Sequence, residues 1–282
     1  MERGERRAWL ALGVLAAIAY GPVLVRLFST WWVDSEYSHG LICAPLAAVI
    51  VWSRREELAR IPRSPSPAGL YGAIAAIVLL LVGTLGAEVF LTRASLLLFI
   101  GSAVVFLFGR RHLRAVAFPF AIVALSIPIP ALLMTRITLP LQFAASAAAE
   151  TTLRLVHIPV LREGNVLVLS DATLQVAEAC SGVRSMMSLL VIALVVARIM
   201  DRHLTTRAAI VAAAVPVTIA VNAFRVTATA VATEFYGVGA ADGLLHETLG
   251  IVLFGVSAVM LIGCARLMSA MTPRLSMGRF SS

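Results

Sequence analysis

Three polar residues stand in a chain that otherwise has little room for them, and their types form a chemical set. Cys180 lies in the run Glu-Ala-Cys-Ser-Gly-Val-Arg-Ser (178–185), Arg225 in Asn-Ala-Phe-Arg (222–225) and His246 in His-Glu-Thr-Leu-Gly (246–250). A thiolate attacks carbonyl carbon, an imidazole moves protons near neutral pH, and a guanidinium steadies an oxyanion or binds a carboxylate. The combination favours acyl transfer. Metal binding is disfavoured, because one Cys and a few scattered His lack the close spacing of a ligand set. No metal and no cofactor is expected.

Each residue has a plainer reading to set beside this one. A lone Cys in an apolar chain is usually a small buried hydrophobe, and Cys43 and Cys264 are read that way. Cys180 differs in its setting: it follows Glu178, precedes Ser181 and Gly182, begins an expected helix, and has Arg184 one turn on. A helix N-terminus and a nearby cation both lower a thiol pKa. An Arg inside a span costs about +2.5 to +3.5 kcal/mol at mid-membrane, so Arg225 needs a partner, a wet cavity or a task, and Asn222 one turn earlier is placed to orient it. Snorkelling is the bland alternative, and it is hard some three turns from the surface.

The other histidines are His39, His112, His157 and His203. The topology below puts His112 and His203 on the opposite side from His246, and His157 reads as an interfacial anchor. His39, in Tyr37-Ser38-His39-Gly40, is a supporting candidate for the same cavity, as are Glu178, Arg184 and Asn222.

The elements that must position these residues are membrane helices. Hydrophobic residues make up 60% of the 282, charged residues 13%, and the mean hydropathy is +0.94, too apolar for a water-soluble domain. A span needs about 20 apolar residues, which leaves room for about eight and no separate soluble domain. The net charge of +8 does not point to nucleic acid, because the basic residues fall in small groups between apolar runs. All 23 basic residues are Arg, which excludes lysine-dependent chemistry. Three cysteines, each in or beside an apolar run, make no disulfide framework. The N-terminal apolar run is long and lacks a small-x-small cleavage site, so it reads as an uncleaved first span.

Apolar runs predict spans near residues 8–28, 39–53, 68–87, 94–108, 115–130, 182–198, 208–232 and 247–268. Arginine groups occupy every second break: Arg3, Arg6 and Arg7; then 54, 55, 60 and 63; then 110, 111 and 114; then 198, 202 and 207; and finally 266, 274 and 279. The positive-inside rule makes that side cytoplasmic, with both termini inside. Cys180, Arg225 and His246 then fall together toward the extracytoplasmic side, which the topology assigns without reference to them.

The same side receives a long stretch from about Ile129 to Ala179. Residues 131–157 predict an amphipathic or re-entrant helix at the interface, interrupted by Arg136, Pro140, Gln142, Glu150 and Arg154. Residues 165–169 and 173–177 are short β-type runs that predict a hairpin above the membrane, feeding into Cys180 before the sixth span. No internal repeat is evident, which weakens a case for inverted-repeat transporters.

With these residues in hand, the chain resembles the exosortase branch of the exosortase and archaeosortase family of membrane cysteine transpeptidases. The resemblance rests on Tyr37-Ser38-His39-Gly40, Pro128-Ile129-Pro130, the segment 176–185 around Cys180-Ser181-Gly182, the Asn222-x-x-Arg225 pair and His246 before a Gly-containing last span. It implies one transmembrane domain over 1–282, all-α with about eight spans, with Cys180 as nucleophile, Arg225 as electrostatic partner and His246 as proton carrier. It further implies a multi-pass protein of the bacterial inner membrane, with substrates that are exported proteins bearing a C-terminal sorting motif such as Pro-Glu-Pro, one transmembrane helix and a basic tail. It leaves the acceptor of the new C-terminus open, with a lipid or glycan amine as the candidates. Membrane lipid is the other expected partner, and nucleic acid is not one. The chain stops soon after its last span, without the extra C-terminal domain that some exosortases carry.

Two alternatives stay open at this level. An intramembrane cysteine protease releasing its acyl group to water needs the same residues. A transporter or lipid-linked glycan permease would tolerate loss of Cys180, and would need polar groups through the inner halves of the spans, which hold little beyond Ser and Thr.

Overall fold

The computed structural model describes residues 3–170, 172–176, 182–201, 203–237 and 244–271, with the side chains of 3–12, 182–184 and 244–247 left aside. The chain divides into two units, Met1–Ala131 and Leu132–Ser282.

The first unit holds α1 (Arg3–Val33), α2 (Gly40–Ser53), α3 (Arg55–Arg60), α4 (Ala68–Leu85), α5 (Val89–Leu107) and α6 (Arg110–Ala124). Helices α4 and α5 form a close hairpin because α4 carries Gly69, Ala76 and Gly83 at seven-residue intervals, all buried. Small residues let backbones approach where lipid supplies no hydrophobic drive. At Gly69 a Cβ would strike the backbone of Phe106, and at Gly83 it would stand 2.9 Å from Leu91 Cβ. Glu88 caps α5, accepting from Phe90 N–H at 3.1 Å.

The second unit holds α7 (Ala131–Leu155), a three-stranded antiparallel sheet of β1 (Leu161–Glu163), β2 (Val166–Val168) and β3 (Thr173–Gln175), then α8 (Gly182–Met200), α9 (Leu204–Tyr236) and α10 (Leu244–Met271). Helices α8, α9 and α10 pack mutually, with Leu189, Ala193, Ala214, Val217 and Leu261 at their centre. The expected hairpin is present, pairing Val166 with Gln175 and Val168 with Thr173. Strand β1 was not foreseen, although its turn to β2 is Gly164-Asn165, a two-residue hairpin loop with Gly164 at φ +67°.

The predicted helix at 131–157 comes as one continuous 25-residue helix running through Pro140, and it is long and apolar enough to cross a membrane. Its polar positions have a physical reason: Gln142, Ser146 and Glu150, four residues apart, form a seam that bolts the sheet on. Asn165 Nδ2 donates to Gln142 Oε1 at 2.9 Å, Ser146 Oγ to the Gly164 carbonyl at 3.0 Å, and Arg162 Nε to Glu150 Oε2 at 2.8 Å. Arg154 pairs with the same carboxylate at 2.8 Å. Ala145, Ala149 and Leu153 on α7 and Val226 and Ala230 on α9 bury Leu167, Leu174 and Val176 of the sheet region.

Among the described residues six helices are long and apolar enough to span: Gly13–Val33, Ala68–Leu85, Val89–Leu107, Ala131–Leu155, Leu204–Tyr236 and Thr248–Met271. Two shorter apolar helices cover Gly40–Ser53 and Ser185–Met200. The run expected as a span at 115–130 is helical only as far as Ala124, as part of α6, 15 residues long, which begins among Arg110, Arg111 and Arg114 and ends before Pro128 and Pro130. A proline drives the residue before it out of helical geometry, so Pro128 and Pro130 keep the chain from resuming a helix before α7.

Candidate functional site

Arg225 sits 11 residues before the end of α9, about 16 Å along the helix axis. Its neighbour Val226 faces the sheet, so Arg225 turns toward α8 and α10. Thr218, Asn222 and Arg225 follow helical spacing along one face of α9, and Gly250, Leu253, Phe254 and Ser257 do the same on α10. With Ser185 of α8 they line a cavity of about 20 Å³, room for about one water.

Two hydroxyls there have their only proton committed. Thr218 Oγ1 donates to the Ala214 carbonyl at 2.8 Å and Ser257 Oγ to that of Leu253 at 2.9 Å. What each oxygen has left is accepting capacity, which suits the surroundings of a cation.

Across the bundle Arg225 lies against Gly250, where a Cβ would stand 3.1 Å from Nη2 and 3.4 Å from Cζ. The absence of a side chain at 250 is what lets the guanidinium lie on the backbone of α10. Position 246 is four residues earlier on that helix, hence on the same face one turn nearer its N-terminus. The side chains of His246 and Arg184 fall outside the described residues, as do Cys180 and Glu178 altogether. Helix α8 begins at Gly182, two positions after Cys180.

His39 lies in the first unit, where it does structural work. It is 8% exposed, and its Nε2 meets the Leu125 carbonyl at 3.2 Å, so that nitrogen carries the proton. Its Nδ1 is buried with no hydrogen-bond partner among the described residues. Trp31 Nε1 donates to the Ser126 carbonyl at 2.8 Å, and the Ile129 backbone hydrogen-bonds the Tyr37 phenol. The segment around Tyr37–Gly40 thus grips the segment leading into Pro128-Ile129-Pro130. Burial pushes the Tyr37 phenol above its usual range, against the lowering effect of the Ile129 backbone.

Sequence reading passed over Arg93, which is 6% exposed in α5 and donates from Nη2 to Thr30 Oγ1 at 2.6 Å. The signal was available, since an Arg in the apolar run Phe-Leu-Thr-Arg-Ala-Ser-Leu (90–96) raises the same question as Arg225. Gly250, Ser185, Thr218 and Ser257 were also missed as cavity residues. Cys43 is buried at 1% exposure, and Cys264 packs on the core of the α8–α10 bundle.

A multi-pass helical membrane protein with a polar niche around an intramembrane arginine is the class that fold and cavity define. The transmembrane exosortase family model matches residues 31–263, most of the chain, and the protein belongs to that family. Membership implies a membrane peptidase or transpeptidase. No curated protein and no solved structure matches the chain.

Proposed function

We propose that this protein is a membrane cysteine transpeptidase that cuts the C-terminal sorting signal of exported proteins and passes the new C-terminus to an amine acceptor. Cys180 is the nucleophile, Arg225 the electrostatic partner and His246 the proton carrier. The observation that carries the reading is the seat of Arg225: its guanidinium rests on Gly250, one turn from position 246, beside Ser185 near the start of the helix that follows Cys180.

In this scheme the Cys180 thiolate adds to the scissile carbonyl carbon, and the negative charge that builds on oxygen is met by Arg225. Collapse breaks the C–N bond; the leaving amine takes a proton from the His246 imidazolium, and a thioester joins substrate to Cys180. An acceptor amine, giving its proton back to His246, then displaces the Cys180 thiolate. Water at that step would give hydrolysis, and the mass of the product separates the two outcomes. A niche for about one water suits a reacting group better than a transport passage.

The arginine pattern supports a topology of about eight spans with both termini cytoplasmic and the sheet and site on the outer face of a bacterial inner membrane. Asn222, Glu178 and Arg184 take the supporting places around the three, while His39 holds the Leu125 carbonyl within the first unit. The test is the ratio of full-length to processed sorting-signal substrate in cells expressing matched amounts of each variant. Cys180→Ala abolishes processing while the protein still accumulates, Cys180→Ser is severely impaired, and Cys43→Ala and Cys264→Ala process normally. A normal ratio with Cys180→Ala overturns both the ligase and the protease readings.

A further inference from the structure

The first unit carries a feature that the proposed chemistry does not use: an apolar groove of about 660 Å³ between α4, α5 and α6, with arginines at one end. Its walls include Gly69 and Val105 at that end and Leu97, Gly101 and Phe120 further in. Arg110 and Arg114, one turn apart in the first turns of α6, line the mouth.

Among the described residues the charges at this mouth are uncompensated. No carboxylate lines the groove, and among the described residues no ion pair engages Arg110, Arg111 or Arg114, whereas Arg54 pairs with Glu57 at 2.6 Å. Helix α6 has no acidic residue in its first turn, and its N-cap is Gly109, which offers no side-chain cap. Cations crowded at the positive end of a helix dipole repel it as well as one another. Gly109, at φ +97°, lies against Ser64, and Arg63 stands 5.3 Å over the Phe108 ring, so a further cation joins the same corner.

The dimensions select the occupant. From Val105 to Leu97 the groove follows eight residues of α5, about 12 Å. Half of a hydrocarbon core of about 30 Å is about 15 Å, so the groove covers most of one leaflet and falls well short of the full thickness. A transmembrane helix needs the full thickness and a diameter of about 10–12 Å. We infer that this groove binds one anionic glycerophospholipid, its headgroup phosphate held by Arg110 and Arg114 and an acyl chain lying over Gly101.

The experiment titrates the purified full-length protein in detergent with phosphatidylglycerol or phosphatidylcholine of identical chains and counts bound lipid by native mass spectrometry. The wild type retains phosphatidylglycerol in preference. Arg110→Gln with Arg114→Gln lowers its affinity about tenfold, while Arg55→Gln with Arg60→Gln removes the same charge elsewhere and changes it little. Gly101→Leu fills the groove and weakens both lipids, its ring neighbour Phe120 being 3.5 Å from a Cβ there. Undiminished binding by the Arg110/Arg114 variant, or an equal loss in the Arg55/Arg60 variant, overturns the site. Displacement of phosphatidylglycerol by an equimolar single-span helical peptide makes it a helix site instead and overturns the lipid assignment.

Discussion

Arg225 of α9 lies against Gly250 of α10 closely enough that a Cβ at position 250 would stand 3.1 Å from Nη2. Gly250→Ala separates positioning from stability. Replacing a helical Gly by Ala favours the helix by up to about 1 kcal/mol, so the protein accumulates and its melting temperature in detergent is held or raised. Substrate processing falls severalfold nonetheless, because the guanidinium is displaced, and Gly250→Val lowers it further. Wild-type processing by the Val variant would show that the seat is irrelevant to activity.

Arg225→Lys keeps a cation in the span and loses the planar fork. If the group steadies an oxyanion with two N–H bonds, processing drops by about tenfold or more at unchanged protein level. The comparison is kcat with a synthetic sorting-signal peptide in detergent, and near-normal turnover would reduce the requirement to charge alone.

Gly40 is pressed by the Trp31 indole, which occupies the space a Cβ would take. Gly40→Ala forces that ring away from its bond to the Ser126 carbonyl and lowers stability by about 1–3 kcal/mol. Thermal unfolding of the purified protein reads the loss, and an unchanged midpoint would mean that the ring has room to move.

Glu150 receives both Arg162 and Arg154, and its side chain is 20% exposed. Glu150→Gln keeps the shape and removes the charge, so the loss is small and shrinks as salt is added. The measurement is the midpoint difference from wild type at low and high ionic strength. A large loss that salt does not change would make this a buried pair.

Sidedness is checked with single cysteines in a chain otherwise stripped of them. Ser170→Cys, where the native hydroxyl bonds Glu234 at 2.9 Å, is labelled by an impermeant reagent from the extracytoplasmic side. Arg111→Cys is labelled only after permeabilisation. The reverse pattern would invert the topology.

What the sequence determined by itself was whatever is written locally. The membrane class follows from apolar run length, the β2–β3 hairpin from alternating runs around a short polar break, and the face shared by Asn222 and Arg225 from helical spacing. Even β1 was legible in Gly164-Asn165, had that turn been weighed. The tertiary structure decided what depends on residues far apart in the chain. The polar residues of α7 are legible as interruptions of its apolar run, and only the fold shows that the sheet takes their hydrogen bonds, because composition records that a residue is polar and not which group satisfies it. Gly250 carries no signal of its own, since a glycine in an apolar helix is ordinary until a guanidinium is found lying on it. Whether His39 faced a reaction or a carbonyl was likewise a matter of packing: the Leu125 carbonyl that engages it lies 86 residues away, and only the folded chain brings the two together.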